Sequence, residues 1–382
     1  IEAKIPVQVR GGILGDQVGY GKTAITLAMI DSSQSSVVLP SIEEHSLIPT
    51  KTTLIVVPSH LPNQWEKEVG KFTGKQLKVT VVKNLNHLNK LSIKDIQALD
   101  ILIVSETLLR TSDEYWYRLA CFSGAGRLPP PGKETKDGQV DRRFGLRYEC
   151  ILAGLKKQIV ELATNGQAGL NTVCGTMNEA VNQLDESDVY VQPEVLHGGA
   201  LKATAVLEGE WLKSLDKSQR DAENKKKRIA KDDEKRVAKK KIEGEKKLQK
   251  IIASINKDPW KLKAIRNNQW TNMKSPPLEM FHWNRVVVDE FTYLKLRSRA
   301  AVHMGLVSKY RWSLSGTPPI SHFADVKSIA ASIGVHLGVH ESTVDNKSKA
   351  TTTALEKLQH FQHVRSKGWH AKRHVRAQHF LN

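Results

Sequence analysis

Apolar runs alternate with amphipathic stretches along the first 110 residues of the chain. GGILG at 11–15, TLIVVP at 53–58, LKVTVV at 77–82 and DILIVS at 100–105 read as strands. Strands that are apolar without interruption are buried on both faces. KTAITLAMID at 22–31 and LPNQWEKEVGKF at 61–72 predict helices. The second carries Pro62 in its first turn, where a missing N–H costs nothing. Such alternation predicts an α/β fold: a parallel sheet with helices on both faces.

The alternation then breaks. Residues 111–280 hold the Pro/Gly/charge-rich stretch RLPPPGKETKDG and mixed helical segments. Within them, 213–250 carries 16 Lys/Arg and 8 Asp/Glu in 38 positions, with few apolar residues. Those residues make a basic, solvated helix or a disordered arm rather than core. The α/β signal returns with a strand at WNRVVVDEF (283–291), a strand-to-turn unit at RWSLSGTPP (311–319) and a helix at FADVKSIAASIG (323–334). The reading is therefore one α/β domain in two parts, 1–110 and 281–338, whose combined size suits a single domain. A mostly helical, basic insertion at 111–280 interrupts it. A polar, His-rich tail follows at 339–382, helical over 351–366.

Charge narrows the partners. The chain has 58 Lys+Arg against 40 Asp+Glu, a formal charge of +18, and an acidic partner such as nucleic acid is the first expectation. No stretch approaches the ~20 apolar residues of a membrane span, so no membrane partner is expected. The first residues, IEAKIPVQVR, hold no apolar signal region, and a start at Ile1 is expected of a fragment, a processed chain or a partial gene model. The three cysteines, Cys121, Cys150 and Cys174, form no C-x-x-C pair, which argues against a disulfide framework or zinc ribbon and for a reducing compartment.

The sharpest chemistry lies in GDQVGYGKT, residues 15–23, between a strand and a helix. Gly19 and Gly21 let the backbone turn its N–H groups toward phosphate oxygens, with Tyr20 between them and Ala24 in the helix start beyond. The helix adds its positive dipole end. Lys22 reaches the terminal phosphates and the Thr23 hydroxyl ligates Mg²⁺. Asp16 stands where the strict phosphate-loop pattern has its first glycine. The second signal is Asp289-Glu290 at a strand end, which supplies a metal carboxylate and a group to orient water. The third is Ser315-Gly316-Thr317 in a tight turn after a strand. Ligands of open α/β sheets bind outside the carboxyl ends of strands.

In this order the motifs resemble the Swi/Snf family of helicase-like, DNA-translocating ATPases. GGILGDQVGYGKTAITLAMI resembles its first motif, in which an Asp also precedes the loop glycines. TLIVVPSHLPNQWEKEVGKF, with the Pro58-Ser59 turn and Trp65-Glu66, resembles the next. DILIVSETLL, FHWNRVVVDEFTYLK and RWSLSGTPPISHFADVKSIAASIG resemble the segments that follow. A long insertion before the Asp-Glu box is most similar to the DNA-repair and ubiquitin-ligase-associated branch. The resemblance implies a RecA-like P-loop lobe using ATP and Mg²⁺. Gly19, Tyr20, Gly21, Lys22, Thr23 and Ala24 form the nucleotide site, Thr23 and Asp289 hold the metal, and Lys22, Asp289 and Glu290 are catalytic. It further implies that Ser315, Gly316 and Thr317 couple nucleotide state to DNA, and that Ser59, His60 and Ser105 fall on segments tracking the DNA backbone. The implied partner is double-stranded DNA or chromatin, in repair or remodelling, with the insertion 111–280 as a surface for a protein partner.

Departures shape the expectation. The box reads Asp289-Glu290-Phe291-Thr292, without the family's Ala and His. The 65 residues after Thr317 are too few for the family's second lobe, which supplies arginine fingers. This chain alone is therefore expected to bind ATP weakly and hydrolyse it slowly. The rival reading is a DNA- or chromatin-binding scaffold that retains the fold. KKKR at 225–228 and KKK at 239–241 read chiefly as a solvated helix and fit nuclear import. The pairs His360/His363 and His370/His374 lack neighbouring acids or cysteines, so metal binding there is not expected. Trp260 and Trp270 read as core anchors of the insertion.

Overall fold

The computed structural model describes residues 10–33, 37–74, 76–124, 142–184, 238–239, 242–265, 269–291 and 306–318, with positions 326, 329–330, 333, 335, 375 and 378. Its strands are β1 (Gly11–Leu14), β2 (Ile48–Val57), β3 (Val79–Val82), β4 (Ile101–Ser105), β5 (Phe281–Val288) and β6 (Ser308–Leu314). Its helices are α1 (Lys22–Ser32), α2 (Ile42–His45), α3 (Pro62–Thr73), α4 (Leu85–Leu88), α5 (Ile93–Gln97), α6 (Glu106–Thr111), α7 (Asp113–Phe122), α8 (Arg142–Thr164) and α9 (Gly166–Asn182). The expected tail helix, the two histidine pairs and residues 213–237 lie outside the described residues; 242–256 are helical.

The six strands form one sheet in the order β1-β6-β5-β2-β4-β3, and every pairing is parallel. This is the RecA-like layout that the motifs implied, with the early and late parts of the chain interleaved. β4 and β5 are buried along their whole length, which explains the apolar runs ILIV in β4 and VVV at the end of β5, while the first part of β5 also buries the polar His282, Asn284 and Arg285. The outer strands β1 and β3 are only partly buried. α3 closes one face by burying Pro62, Trp65 and Val69, and ends at Gly74 in the left-handed conformation (φ 58). Leu27 and Ile30 of α1 join the same core as Trp65, Ile55 and Val287.

β2 starts five residues before the predicted strand. Its extra segment, Ile48–Thr50, pairs with Phe281–Trp283, and the register shifts between Thr50 and Thr53. Polar Thr50 and Thr52 hid this extension in the sequence. Both are buried, hydrogen-bonded to each other at 2.8 Å, and the Thr52 hydroxyl donates to the Ile96 carbonyl at 2.7 Å.

The region read as an insertion is not uniform. The compact unit containing the sheet comprises Ile1–Ala180 and Asp258–Asn382; a second unit comprises Val181–Lys257. Physical stitching explains why 111–180 and 258–280 go with the sheet. α7 buries every residue from Tyr115 to Phe122, as an interior helix must. Its Arg118 reaches Glu114 at 2.6 Å, Asn89 at 2.6 Å and Ser275 at 3.1 Å. Trp260 is a buried anchor against Phe122, whereas Trp270 is only partly buried.

Candidate nucleotide site at the strand ends

Because all six strands run the same way, their carboxyl ends share one rim. Five adjacent strands, β1, β6, β5, β2 and β4, deliver to that rim the phosphate-loop segment, Ser315–Thr317, Asp289-Glu290, Ser59-His60 and Ser105 respectively. Neighbouring strands lie about 4.8 Å apart, so the ends of β1 and β5 are separated by roughly 10 Å.

The loop begins on β1, whose approach to β6 needs glycine. A Cβ on Gly11 would sit 1.7 Å from the Arg311 carbonyl oxygen. Gly19 and Gly21 hold φ values of 92 and 76, and a side chain at either would meet nothing within 4 Å, so the loop surface is open. Gly21 caps α1 with backbone alone. The first-turn N–H groups of Lys22, Thr23 and Ala24 have no acceptor within the helix. They form, with the helix dipole, a donor set suited to an anion. The Lys22 ammonium donates to the carbonyls of Asp16 at 2.7 Å and Gln17 at 3.0 Å, folding over its own loop. Tyr20 is exposed; Lys22, Thr23 and Ala24 are half-buried.

β6 adds the closest contact to the loop. A Cβ at Gly316 would come within 2.8 Å of Val18 Cγ2 and 3.9 Å of Lys22 Nζ, so the Ser315–Thr317 turn lies directly against the phosphate loop. The Ser315 hydroxyl, wholly buried, accepts the Thr317 backbone N–H at 3.1 Å.

β5 ends in the acids. Asp289 is buried, and its Oδ2 accepts the Trp65 indole N–H at 2.7 Å. Its Oδ1 accepts the Glu290 backbone N–H at 2.9 Å. Burial pushes the Asp289 carboxyl above the usual range and the Glu290 charge adds to this, while the Trp65 hydrogen bond and the Lys22 cation oppose it. The order β1-β6-β5, with Gly316 of the intervening turn close to Val18 and Lys22, places the phosphate loop and the Asp289 strand end on one rim despite their distance in sequence. Glu290 adopts φ 48, a left-handed conformation that costs a non-glycine residue about 1 kcal/mol or more and recurs at functional sites. The open donors of the loop, the Lys22 ammonium and a carboxylate on a nearby strand end fit a nucleotide phosphate with a divalent cation.

The residues expected along DNA divide. Ser59 and His60 are exposed in the turn between β2 and α3. Ser105 is buried, and its hydroxyl caps α6 and bonds the Thr107 hydroxyl at 2.8 Å. Sequence reasoning gave Trp65 no part in the site. An indole within an amphipathic helix reads as core, and only the tertiary structure reveals its polar partner.

The fold and rim thus define a P-loop protein with a parallel α/β sheet. The family model described as "SNF2-related domain" matches residues 4–119, so this segment is similar to the Swi/Snf-type family that the motifs resemble. It is 34% identical over 395 residues to "DNA (cytosine-5-)-methyltransferase DMT5" of Cryptococcus neoformans var. grubii, covering 100% of this chain and 16% of that protein. The "DNA repair protein RAD5" of Debaryomyces hansenii is 46% identical over 66 residues, 16% of this chain and 6% of that protein. Among solved structures, the "Sulfolobus solfataricus SWI2/SNF2 ATPase core in complex with dsDNA" aligns with 86% of this chain and 32% of that one, at 12% identity and TM-score 0.35. The chain spans about one sixth of the length of the curated relatives that it matches from end to end.

Proposed function

We propose that this chain is the ATP-binding lobe of a DNA-dependent ATPase, and that it works within a longer protein that moves on duplex DNA. The observation that supports this best is the rim itself, where the phosphate loop, the Ser315–Thr317 turn and Asp289-Glu290 end three neighbouring strands. In this reading the loop N–H groups and Lys22 bind the ATP phosphates, and Thr23 and Asp289 hold Mg²⁺, which supplies charge neutralisation on the phosphates. Glu290 orients water. Gly316, pressed against Val18, passes changes in the loop to β6. Ser59 and His60 face the DNA backbone.

The partner is double-stranded DNA or chromatin, and the compartment is the nucleus, consistent with the basic run at 225–228. The insertion 111–280 serves a protein partner. Repair and remodelling both remain within this class. The likeness of this chain to about one sixth of a protein named as a cytosine methyltransferase favours a setting in which ATP use serves an enzyme acting on DNA bases.

Phosphate release by the full-length protein, with and without duplex DNA, tests the reading. Hydrolysis is expected to rise with DNA and to fall about 100-fold or more in Lys22→Ala and in Glu290→Gln. If neither substitution changes the rate, the ATPase assignment fails. DNA binding that persists without any hydrolysis in the native protein would instead support the scaffold reading, which the altered box Asp289-Glu290-Phe291-Thr292 favours. The 382-residue chain by itself is expected to turn over below about one per second.

A further inference from the structure

We propose that Trp65 is a positioning residue for the metal carboxylate, fixing the stance of Asp289 and making it depend on helix α3. This deepens the nucleotide reading and rests on it. The indole is 2% exposed, and its N–H donates to Asp289 Oδ2 across 224 positions of sequence. The other oxygen, Oδ1, is held by the Glu290 backbone N–H. The Asp289 backbone N–H is itself anchored to the Val56 carbonyl of β2 at 2.9 Å. Two directions of restraint therefore act on one carboxylate. The strand end sets one oxygen, and a side chain from a separate helix sets the other.

The Trp65 ring is not free to follow the carboxylate. It sits among Ile55, Val57, Val69, Leu77 and Val287 in the close-packed core beneath α3. Through its helix it is also tied to the exposed turn ahead of it. The Leu61 N–H donates to the Pro58 carbonyl at 3.0 Å, and the Trp65 N–H donates to the Leu61 carbonyl at 3.0 Å. A short hydrogen-bonded chain thus runs from the Ser59-His60 turn, through one turn of α3, to the carboxylate at the end of β5. Displacing that turn moves Trp65, and with it one of the two donors that orient Asp289. A charge-assisted hydrogen bond of this kind is stronger than a neutral one, and truncating its donor leaves a buried carboxylate oxygen without its partner.

Trp65→Phe in the 382-residue chain keeps an aromatic ring in the core and removes the donor. Binding of a fluorescent ATP analogue is titrated with Mg²⁺, and also measured without it. The expected result is a Mg²⁺ midpoint raised by about tenfold, with a smaller change in metal-free binding. Lys22→Ala should weaken binding under both conditions. If neither the native chain nor the full-length protein binds nucleotide, the functional reading itself is overturned; if only the full-length protein binds, the Trp65→Phe titration is read there. If the nucleotide binds and Trp65→Phe leaves the Mg²⁺ midpoint unmoved, only the positioning role is overturned.

Should Trp65→Phe fail to fold, the native protein decides. With ¹⁵N-labelled tryptophan, one of the eight indole N–H resonances should resist hydrogen exchange and move when Mg²⁺ and nucleotide are added and when Asp289 is changed to Asn. Eight indole signals indifferent to both changes would refute the proposal.

Discussion

Glu279 is wholly buried in the short 3-10 turn that leads into β5, with the Tyr115 hydroxyl donating to Oε2 and the Tyr148 hydroxyl 3.4 Å from Oε1. Burial pushes its pKa up to about 7, against the partial opposition of the two tyrosine hydrogen bonds. Tyr115 also accepts the Leu278 N–H at 2.9 Å, so α7, α8 and the entry to β5 meet at this carboxyl group. The sign of its pH effect follows from linkage. Between the ordinary carboxylate range and about pH 7 the folded state holds a proton that the unfolded state has released, so stability falls as pH rises through that window. Thermal melts from pH 4.5 to 8 should show a decline that levels off above pH 7, and Glu279→Gln should flatten it. An unchanged slope in the variant would mean that the carboxyl group does not titrate in the fold. Sequence reading passed over Glu279 because an acid beside Leu278 and Met280 carries no periodic signal of burial. Its pKa is raised because the fold buries it, a burial made by distant segments packing together, with the two tyrosine hydroxyls only moderating the rise.

At the scale of elements, β1 does the most with the least sequence. Four half-buried residues carry the phosphate loop, and they pair with β6 only because Gly11 leaves room for the Arg311 carbonyl. Gly11→Ala forces a backbone-to-side-chain overlap that cannot be relieved by a rotamer change. It should detach the edge strand and lower nucleotide affinity by about tenfold or more. The central strands β2, β4 and β5 do not depend on β1 for burial, so far-UV circular dichroism should change little. Full affinity in Gly11→Ala would show that the loop needs no support from β6. The strands and helices α1 and α3 were legible because continuous apolar runs and Pro62 at a helix start are local signals. The first five residues of β2 were not, because Thr50 and Thr52 satisfy their hydroxyls through partners brought in by folding.

At the scale of the whole molecule, the chain's excess of positive charge predicts DNA affinity that is largely electrostatic. Anisotropy titrations of the full-length protein on a duplex between 50 and 200 mM salt should give a log–log slope of about −0.9 for each phosphate neutralised. A salt-independent affinity would contradict contact through the backbone. Length matters here as well. The chain is about one sixth the length of the relatives it matches from end to end, so the longer protein is the proper subject of the DNA-stimulated measurements.

The sequence by itself determined the parallel α/β class, the phosphate loop, the acidic strand end and the order of the motifs. Each depends on residues adjacent in the chain, where backbone conformation and hydrophobic period act locally. Only the tertiary structure decided that β6 lies between β1 and β5, that α7 and α8 fall in the compact unit that holds the sheet, and that Trp65 grips Asp289. Those facts rest on strand order and on buried polar contacts between distant segments. No local pattern encodes such contacts, because their free energy arises only when the segments exclude water together.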